Sequence, residues 1–224
     1  MKGLHGFEWL AQWCAYYMGR WAFLEVLEYA GHCSVLVAVV LYFNGAGDRR
    51  KTKHYQAWQV INTAQGKGGN GGRITALQEL NEDHVPLVGV DADRAYLAGI
   101  KLQDADMARC QMESADLRGA DFSGAMLEFA HFASSNFRGA SLAKARLANA
   151  DLSDADLVGA NLEGADLDGA DLSDADLRLA DLKGVKWQKV ADISKANIFG
   201  VKNPPEGFVA WAMAHGAIST PVDE

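Results

Sequence analysis

From Ala105 to Ala180, sixteen consecutive blocks of five residues obey one rule: a small residue opens the block and a large apolar residue stands two places later. The openers are fourteen alanines plus Cys110 and Ser135; the centres are eleven leucines, three phenylalanines (Phe122, Phe132, Phe137) and two methionines (Met107, Met112). Aspartate fills nine of the sixteen slots between opener and centre. A period this strict marks a repeat architecture before any element is assigned.

Period five suits neither regular element. On an α-helix, residues five apart are rotated by about 140°, so successive leucines leave any common face. On a strand, an odd spacing alternates them between the two faces. All of them can point inward only if the chain turns a corner in every block, winding a coil around its own leucines.

Blocks such as Ala150-Asp151-Leu152-Ser153-Asp154 and Ala160-Asn161-Leu162-Glu163-Gly164 resemble the pentapeptide-repeat family, whose consensus is A(D/N)LXX. The resemblance implies a mainly β fold: a right-handed quadrilateral β-helix with four blocks per turn. It also implies that the centre and the small residue two before it face inward. In register, the pattern runs from Val85 to Lys189, with Ala92 and Ile100 as early departures. One residue, Val190, is then inserted, and two further blocks centre on Ile193 and Ile198. Nearly six turns stack to roughly 28 Å at about 4.8 Å per turn.

The formal charge of −8 is uneven: residues 1–84 carry +1, residues 85–200 carry −7, and residues 201–224 carry −2. An acidic solenoid without a basic stripe argues against binding of a nucleic-acid backbone, and no direct nucleic-acid binding is expected. Three scattered cysteines, Cys14, Cys33 and Cys110, frame neither a disulfide network nor a zinc site. The six histidines lack metal-ligand spacing, and no nucleophile–base–acid arrangement can be named around His131, Ser134 and Ser135. We expect no cofactor, no metal and no catalytic residues. Gly66-Lys67-Gly68-Gly69-Asn70-Gly71 matches GxGxxG in form, but it follows a helical pattern with no βαβ unit around it, and reads as a linker or turn.

The first 84 residues differ in character. Trp9, Trp13, Tyr17 and Trp21 recur every four residues, as on a helix with an aromatic stripe. The run from Trp21 to Phe43 is long enough as a helix to cross a bilayer, although its charge-free part, Tyr29 to Phe43, is only fifteen residues. Arg49, Arg50, Lys51 and Lys53 follow directly. By the positive-inside bias this predicts a single-pass inner-membrane protein with its solenoid in the cytoplasm and the lipid bilayer as a partner. Glu25, Glu28 and His32 share one face of that helix and are candidates for contact with another membrane protein or a second copy. The expected domains are residues 1–47, an aromatic-rich helix plus a transmembrane helix (21–43), and residues 48–84, juxtamembrane helices and a glycine-rich loop. Residues 85–200 form the β-helix, and residues 201–224 a short capping helix and tail.

Within 48–84 the pattern predicts one helix over Lys51 to Gln65 and a short one from Arg73 to Leu80, whose apolar side closes the solenoid's N-terminal end. Past Asn203-Pro204-Pro205, a helix to His215 carries Phe208 and Trp211, candidates for a cap or, since some members of the family pair through C-terminal helices, for a homodimer contact. Along residues 151–181, Asp151, Asp156, Asp166, Asp171, Asp176 and Asp181 form an acidic ladder, either a solvated part of the coil or an interaction surface for an unknown protein partner. The expected function is non-enzymatic: a membrane-anchored interaction or scaffold module in a bacterium. The alternative follows the family members that imitate DNA and bind gyrase, protecting it from inhibitors.

Overall fold

A computed structural model describes residues 5–18, 22–44, 46–64 and 69–221. The chain divides into two compact units, Met1–Lys53 and His54–Glu224. The first holds α1 (His5–Met18), α2 (Ala22–Asn44) and the start of α3 (Ala46–Thr63). On α1, Trp9 and Trp13 stack with ring centroids 6.3 Å apart. Trp21 and the side chain of Tyr17 lie outside the described residues.

The expected membrane span is overturned. Among the described residues no helix is long and apolar enough to cross a membrane. Helix α2 has 23 residues, but Glu25, Glu28 and His32 occupy its first half. The charge-free remainder rises about 22 Å at about 1.5 Å per residue, against a hydrocarbon core of about 30 Å. The single-pass inner-membrane placement, with the solenoid at the cytoplasmic face, falls with the span.

In the second unit the coil is laid out by its bridges. Parallel pairs join residues twenty apart, as in Gln111 to His131, His131 to Asp151 and Asp151 to Asp171. Four five-residue blocks therefore make one turn, and each block is one side. Side one carries bridge residues 106, 126, 146, 166 and 186; side two, 91, 111, 131, 151, 171 and 192; side three, 96, 116, 136, 156, 176 and 197; side four, 101, 121, 141, 161, 181 and 202. The expectation of a mainly β fold needs refinement: among the described residues there is no strand, only bridges one residue wide. A corner every five residues leaves a single residue per side in ladder geometry.

The corner has a conformational signature. The fifth residue of every block from His84 to Gly184 has positive φ, between 54° and 77°, and it is glycine in only nine of these twenty-one places. That residue is the third of a four-residue turn, closed when the next block's opener donates to the preceding centre, as Ala155 N–H does to Leu152 O at 3.1 Å. The remaining backbone donors are shared out regularly. The second and third residues of a block bond to the turns on either side, as Asp151 N–H to Ala130 O (2.9 Å) and Leu152 N–H to Asp171 O (2.8 Å). Asp154 N–H continues the ladder to Ser173 O at 2.9 Å.

Openers and centres fill the bore. Leu97, Met107, Phe122, Leu152 and Leu182, with alanines between them, are at most 1% exposed. Each such leucine contributes about 1.5–3 kcal/mol. Midway, Phe122, Phe132 and Phe137 meet edge to face with centroids 5.0–6.4 Å apart. The small position beside them is Ser135, fully buried, whose hydroxyl donates to the Met112 backbone oxygen.

Both ends of the coil are covered. At the start, α4 (Arg73–Glu82) buries Ala76, Leu77 and Leu80 together with Arg73, while Ile74 is only partly buried. Ala57 and Ile61 of α3 join the same core, and His54 Nε2 lies 2.8 Å from Asp83 Oδ2, tying α3 to the end of α4. Gly69 bridges Ala95, so the end of the glycine-rich segment covers an edge of the first turn. At the finish, α5 (Phe208–Ala214) buries Phe208 and Ala212, and Ile218 returns to bridge Asn197. The extra residue of the last turn is Ala191 rather than Val190: Val190 is buried in an opener's place, while Ala191 is exposed at a bend and donates to Ala170 O at 2.8 Å.

Candidate functional site

Each of the six aspartates singled out from sequence turns Oδ1 back onto its own block. Oδ1 accepts the backbone N–H two residues on: Asp151 from Ser153 (3.0 Å), Asp156 from Val158 (3.2 Å), Asp166 from Asp168 (3.2 Å). The same bond joins Asp171 to Ser173 (2.9 Å), Asp176 to Arg178 (3.1 Å) and Asp181 to Lys183 (3.0 Å). The fourth residue's N–H is the one donor of the block that the ladder and the turn leave over. Aspartate or asparagine before the centre supplies its acceptor, as in an Asx-turn. These carboxylates are therefore first of all parts of the coil.

Nor do the six gather in one place. Asp151 and Asp171 belong to side two, Asp156 and Asp176 to side three, Asp181 to side four and Asp166 to side one. Three have cationic partners: Asp156 with Arg138 (3.0 Å), Asp166 with Lys186 (2.8 Å) and Asp176 with Arg178 (2.5 Å). The Lys186 hydrogen bond holds the Asp166 carboxyl below its ordinary value, and Asn203 does the same for Asp181.

Sorted by side, the charge divides in a way the linear sequence hides. Side one has four acidic and four basic residues, side three has three of each, and side four has four of each when Lys202 is counted. Pairs such as Arg146–Glu128 (2.6 Å) and Lys183–Glu163 (2.6 Å) knit these balanced sides together. Side two has eight acidic residues against two basic. Its rungs are Asp91 with Asp93, Glu113, Asp151 with Asp154, Asp171 with Asp174, and Asp192; the cations, Arg94 and Lys195, stand at the two ends. Lys195 reaches Asp174 at 3.3 Å, while Glu113, Asp151, Asp154, Asp171 and Asp192 have no ion pair among the described residues. Hydrogen bonds from the backbone and hydroxyl of Ser194 keep the Asp192 carboxyl below its usual value. His131 is exposed in the middle of this side. Sequence reasoning missed Asp91, Asp93, Glu113, Asp154, Asp174 and Asp192 as members of one surface. Counting by twenty instead of scanning a window would have found them.

The remaining candidates are placed as follows. His32 Nδ1 donates to the Glu28 backbone oxygen at 2.8 Å, Glu28 is exposed, and the side chain of Glu25 lies outside the described residues. Phe208 is 1% exposed and lies edge-on to Trp187 (5.7 Å), which also touches Trp211 (5.1 Å). Phe208 is thus enclosed by these rings, while Trp211 is only partly buried. Among the described residues no group of three or more His, Cys, Asp or Glu is placed to hold a metal. Burial pushes the Cys110 thiol up to about 12, so its reactive thiolate is suppressed.

A stacked coil of five-residue blocks, hydrogen-bonded through its second-position carboxylates and charged on one side, defines a repeat solenoid. The central part of the chain carries pentapeptide repeats: the model of the pentapeptide-repeat family matches residues 93–128, 120–157 and 145–184, with eight copies. No curated protein matches it. Among solved structures it is similar to trypsin-treated QnrB1, a plasmid-mediated fluoroquinolone resistance protein (20% identity, TM-score 0.36), over 55% of this chain and 64% of that one. The chain thus covers less than two thirds of that trypsin-treated QnrB1 chain. It is also similar to a pentapeptide repeat protein of the Arabidopsis thaliana thylakoid lumen (26% identity, TM-score 0.33), covering 50% of this chain and 79% of that one. A third is Rfr23 of the cyanobacterium Cyanothece 51142 (26% identity, TM-score 0.32), covering 50% and 94% respectively.

Proposed function

We propose that this chain is a non-enzymatic interaction module whose right-handed coil presents side two to a basic surface of a protein partner. The supporting observation is the segregation of charge: eight acidic residues against two basic on one side, with the other three balanced. A cleft or strip of one sign steers an oppositely charged partner and raises its association rate, increasingly so at low salt. The rigid ladder holds the carboxylates in place before the partner arrives, which lowers the ordering cost of binding. Affinity capture from a cell extract with the intact chain, and with an Asp154→Lys, Asp174→Lys variant, tests the reading. A defined protein retained by the first, lost with the second and released by salt supports it. Equal capture by both removes it.

A second reading, a DNA-imitating protein that binds gyrase, gains from the same geometry. Six net negative charges over six rungs spaced about 4.8 Å apart amount to one per about 4.8 Å, against roughly 3.4 Å between phosphates along one strand of duplex DNA. Spread evenly over four sides, the charge would be far too dilute for such imitation. A supercoiling assay decides: protection of gyrase from a fluoroquinolone supports this reading, and gyrase unaffected by micromolar protein excludes it.

A further inference from the structure

Side one carries a surface that the acidic side does not explain. In the block Ala125–Phe129 two outward positions depart from the pattern together. Met126 stands where the block's Asx acceptor belongs and is the single apolar bridge residue between 101 and 186. Phe129 stands at the left-handed corner with φ 59°, the only Phe, Tyr or Trp in that role, and is 49% exposed. A bulky ring held at positive φ and half in water is disfavoured twice over. The equivalent corner one turn on, Asn149, carries a residue suited to that conformation.

The two departures line one open cleft of about 430 Å³, with Ala108 beside them. Arg109 lies over the Phe129 ring at 5.7 Å from its centroid. Arg146 closes the upper edge, already paired with Glu128 at 2.6 Å. Arg109 has no carboxylate partner among the described residues, and a guanidinium stacked by one face keeps its N–H edge free for bidentate contact. Asp106, also on the cleft wall, stands three residues before Arg109 in the same block and confines an incoming anion to the Arg109 corner. A cleft this open cannot enclose most of a small molecule's surface, as small-ligand sites do. It suits one projecting side chain of a larger partner.

We propose that this cleft docks a peptide segment of a partner protein that presents a bulky apolar side chain beside a carboxylate. The side chain lies on Met126 and Phe129, and the carboxylate bonds Arg109. The charge preference is opposite to that of side two, so the two surfaces are separable.

The test uses the full chain labelled at its methionine methyls, with the Met126 signal assigned through Met126→Leu. The probe is the acetylated peptide Gly-Phe-Glu-Gly-amide, with Gly-Phe-Lys-Gly and Gly-Ala-Glu-Gly versions alongside. The expected result is a saturable shift of the Met126 methyl by the Phe–Glu peptide, at least fivefold tighter than by either control. Arg109→Gln should weaken it at least fivefold. Phe129→Asn should abolish it while leaving the thermal midpoint unchanged or higher. No Met126 shift, equal binding of the Phe–Lys peptide, or indifference to Arg109→Gln overturns the proposal. So does a lower midpoint in Phe129→Asn, which would make the ring a structural part of the coil.

Discussion

Asp151 and Asp171 are bridge partners on successive turns, and each bends its Oδ1 back to the N–H of the serine two places on, at 3.0 and 2.9 Å. Two like charges are thus stacked about one turn apart on the axis of the ladder. The local hydrogen bond outweighs their repulsion because it satisfies a backbone donor that nothing else in the block reaches, whereas the repulsion acts through water and is screened by salt.

Substitution at Asp171 separates the two effects. Asp171→Asn keeps the acceptor and removes the repulsion, and is expected to leave stability unchanged or slightly raised. Asp171→Ala loses the acceptor and is expected to cost about 0.5–1.5 kcal/mol. Thermal unfolding of the pair checks this; equal midpoints for Asn and Ala would deny the carboxylate its structural role.

In the bore, Leu157 is fully buried on side three, with Phe137 one turn before it and Leu177 one turn after. Leu157→Ala is expected to cost about 2–5 kcal/mol. Leu157→Asp places an unpaired carboxylate among leucines and is expected to abolish the cooperative unfolding transition. A folded Leu157→Asp protein in calorimetry contradicts the inward placement.

Acid stability follows from the lowered carboxyls. Hydrogen bonds from Arg118 to Asp116, Lys186 to Asp166, Asn203 to Asp181 and Ser194 to Asp192 hold these groups below their ordinary range. Their unfolded values are higher, so the contribution is complete above about pH 4 and is lost as pH falls through the folded values. Denaturant titrations from pH 7 to pH 2 should show a plateau and then a fall below about pH 4. Asp166→Asn should flatten that fall; an unchanged slope would separate Asp166 from it.

Corner strain offers an independent check away from either proposed surface. Leu179 has φ 60° and is 46% exposed. Leu179→Asn is expected to stabilise the coil by about 0.5–1 kcal/mol, since asparagine tolerates the left-handed region better. A loss of stability would show that the Leu179 side chain contributes more through its contacts than the corner costs.

How much of this was legible beforehand depends on the length of the pattern involved. Alanine and leucine at fixed places within five residues mark the bore directly, so Ala150 and Leu152 could be set inside from the sequence. The left-handed corners could not, because residues such as Lys144 and Phe129 carry no turn signature and are held there by the stacked turns around them. The acidic side spans a period of twenty, so Asp154 and Asp174 look unrelated until the turn is counted. The aspartates of the consensus could be read from sequence as part of the coil or as an interaction surface, and the N–H of Ser153 or Ser173 shows what each does within its own block. Apolar composition misled the reading of α2, where Glu25, Glu28 and His32 shorten the usable stretch. The register slip at Ala191 rather than Val190 was beyond reach because both residues are small and apolar.

The central claim is that residues twenty apart stack on one side of a four-block turn, and paired cysteines test it most directly. In a background lacking Cys14 and Cys33, Asp154→Cys with Asp174→Cys places two thiols on adjacent rungs of side two, about 5 Å apart at the backbone and within disulfide reach. Asp154→Cys with Gly169→Cys places them on different sides. Rapid oxidative crosslinking of the first pair and none of the second is the predicted result. Crosslinking of the second pair as fast as the first would contradict the four-block turn and the acidic side built on it.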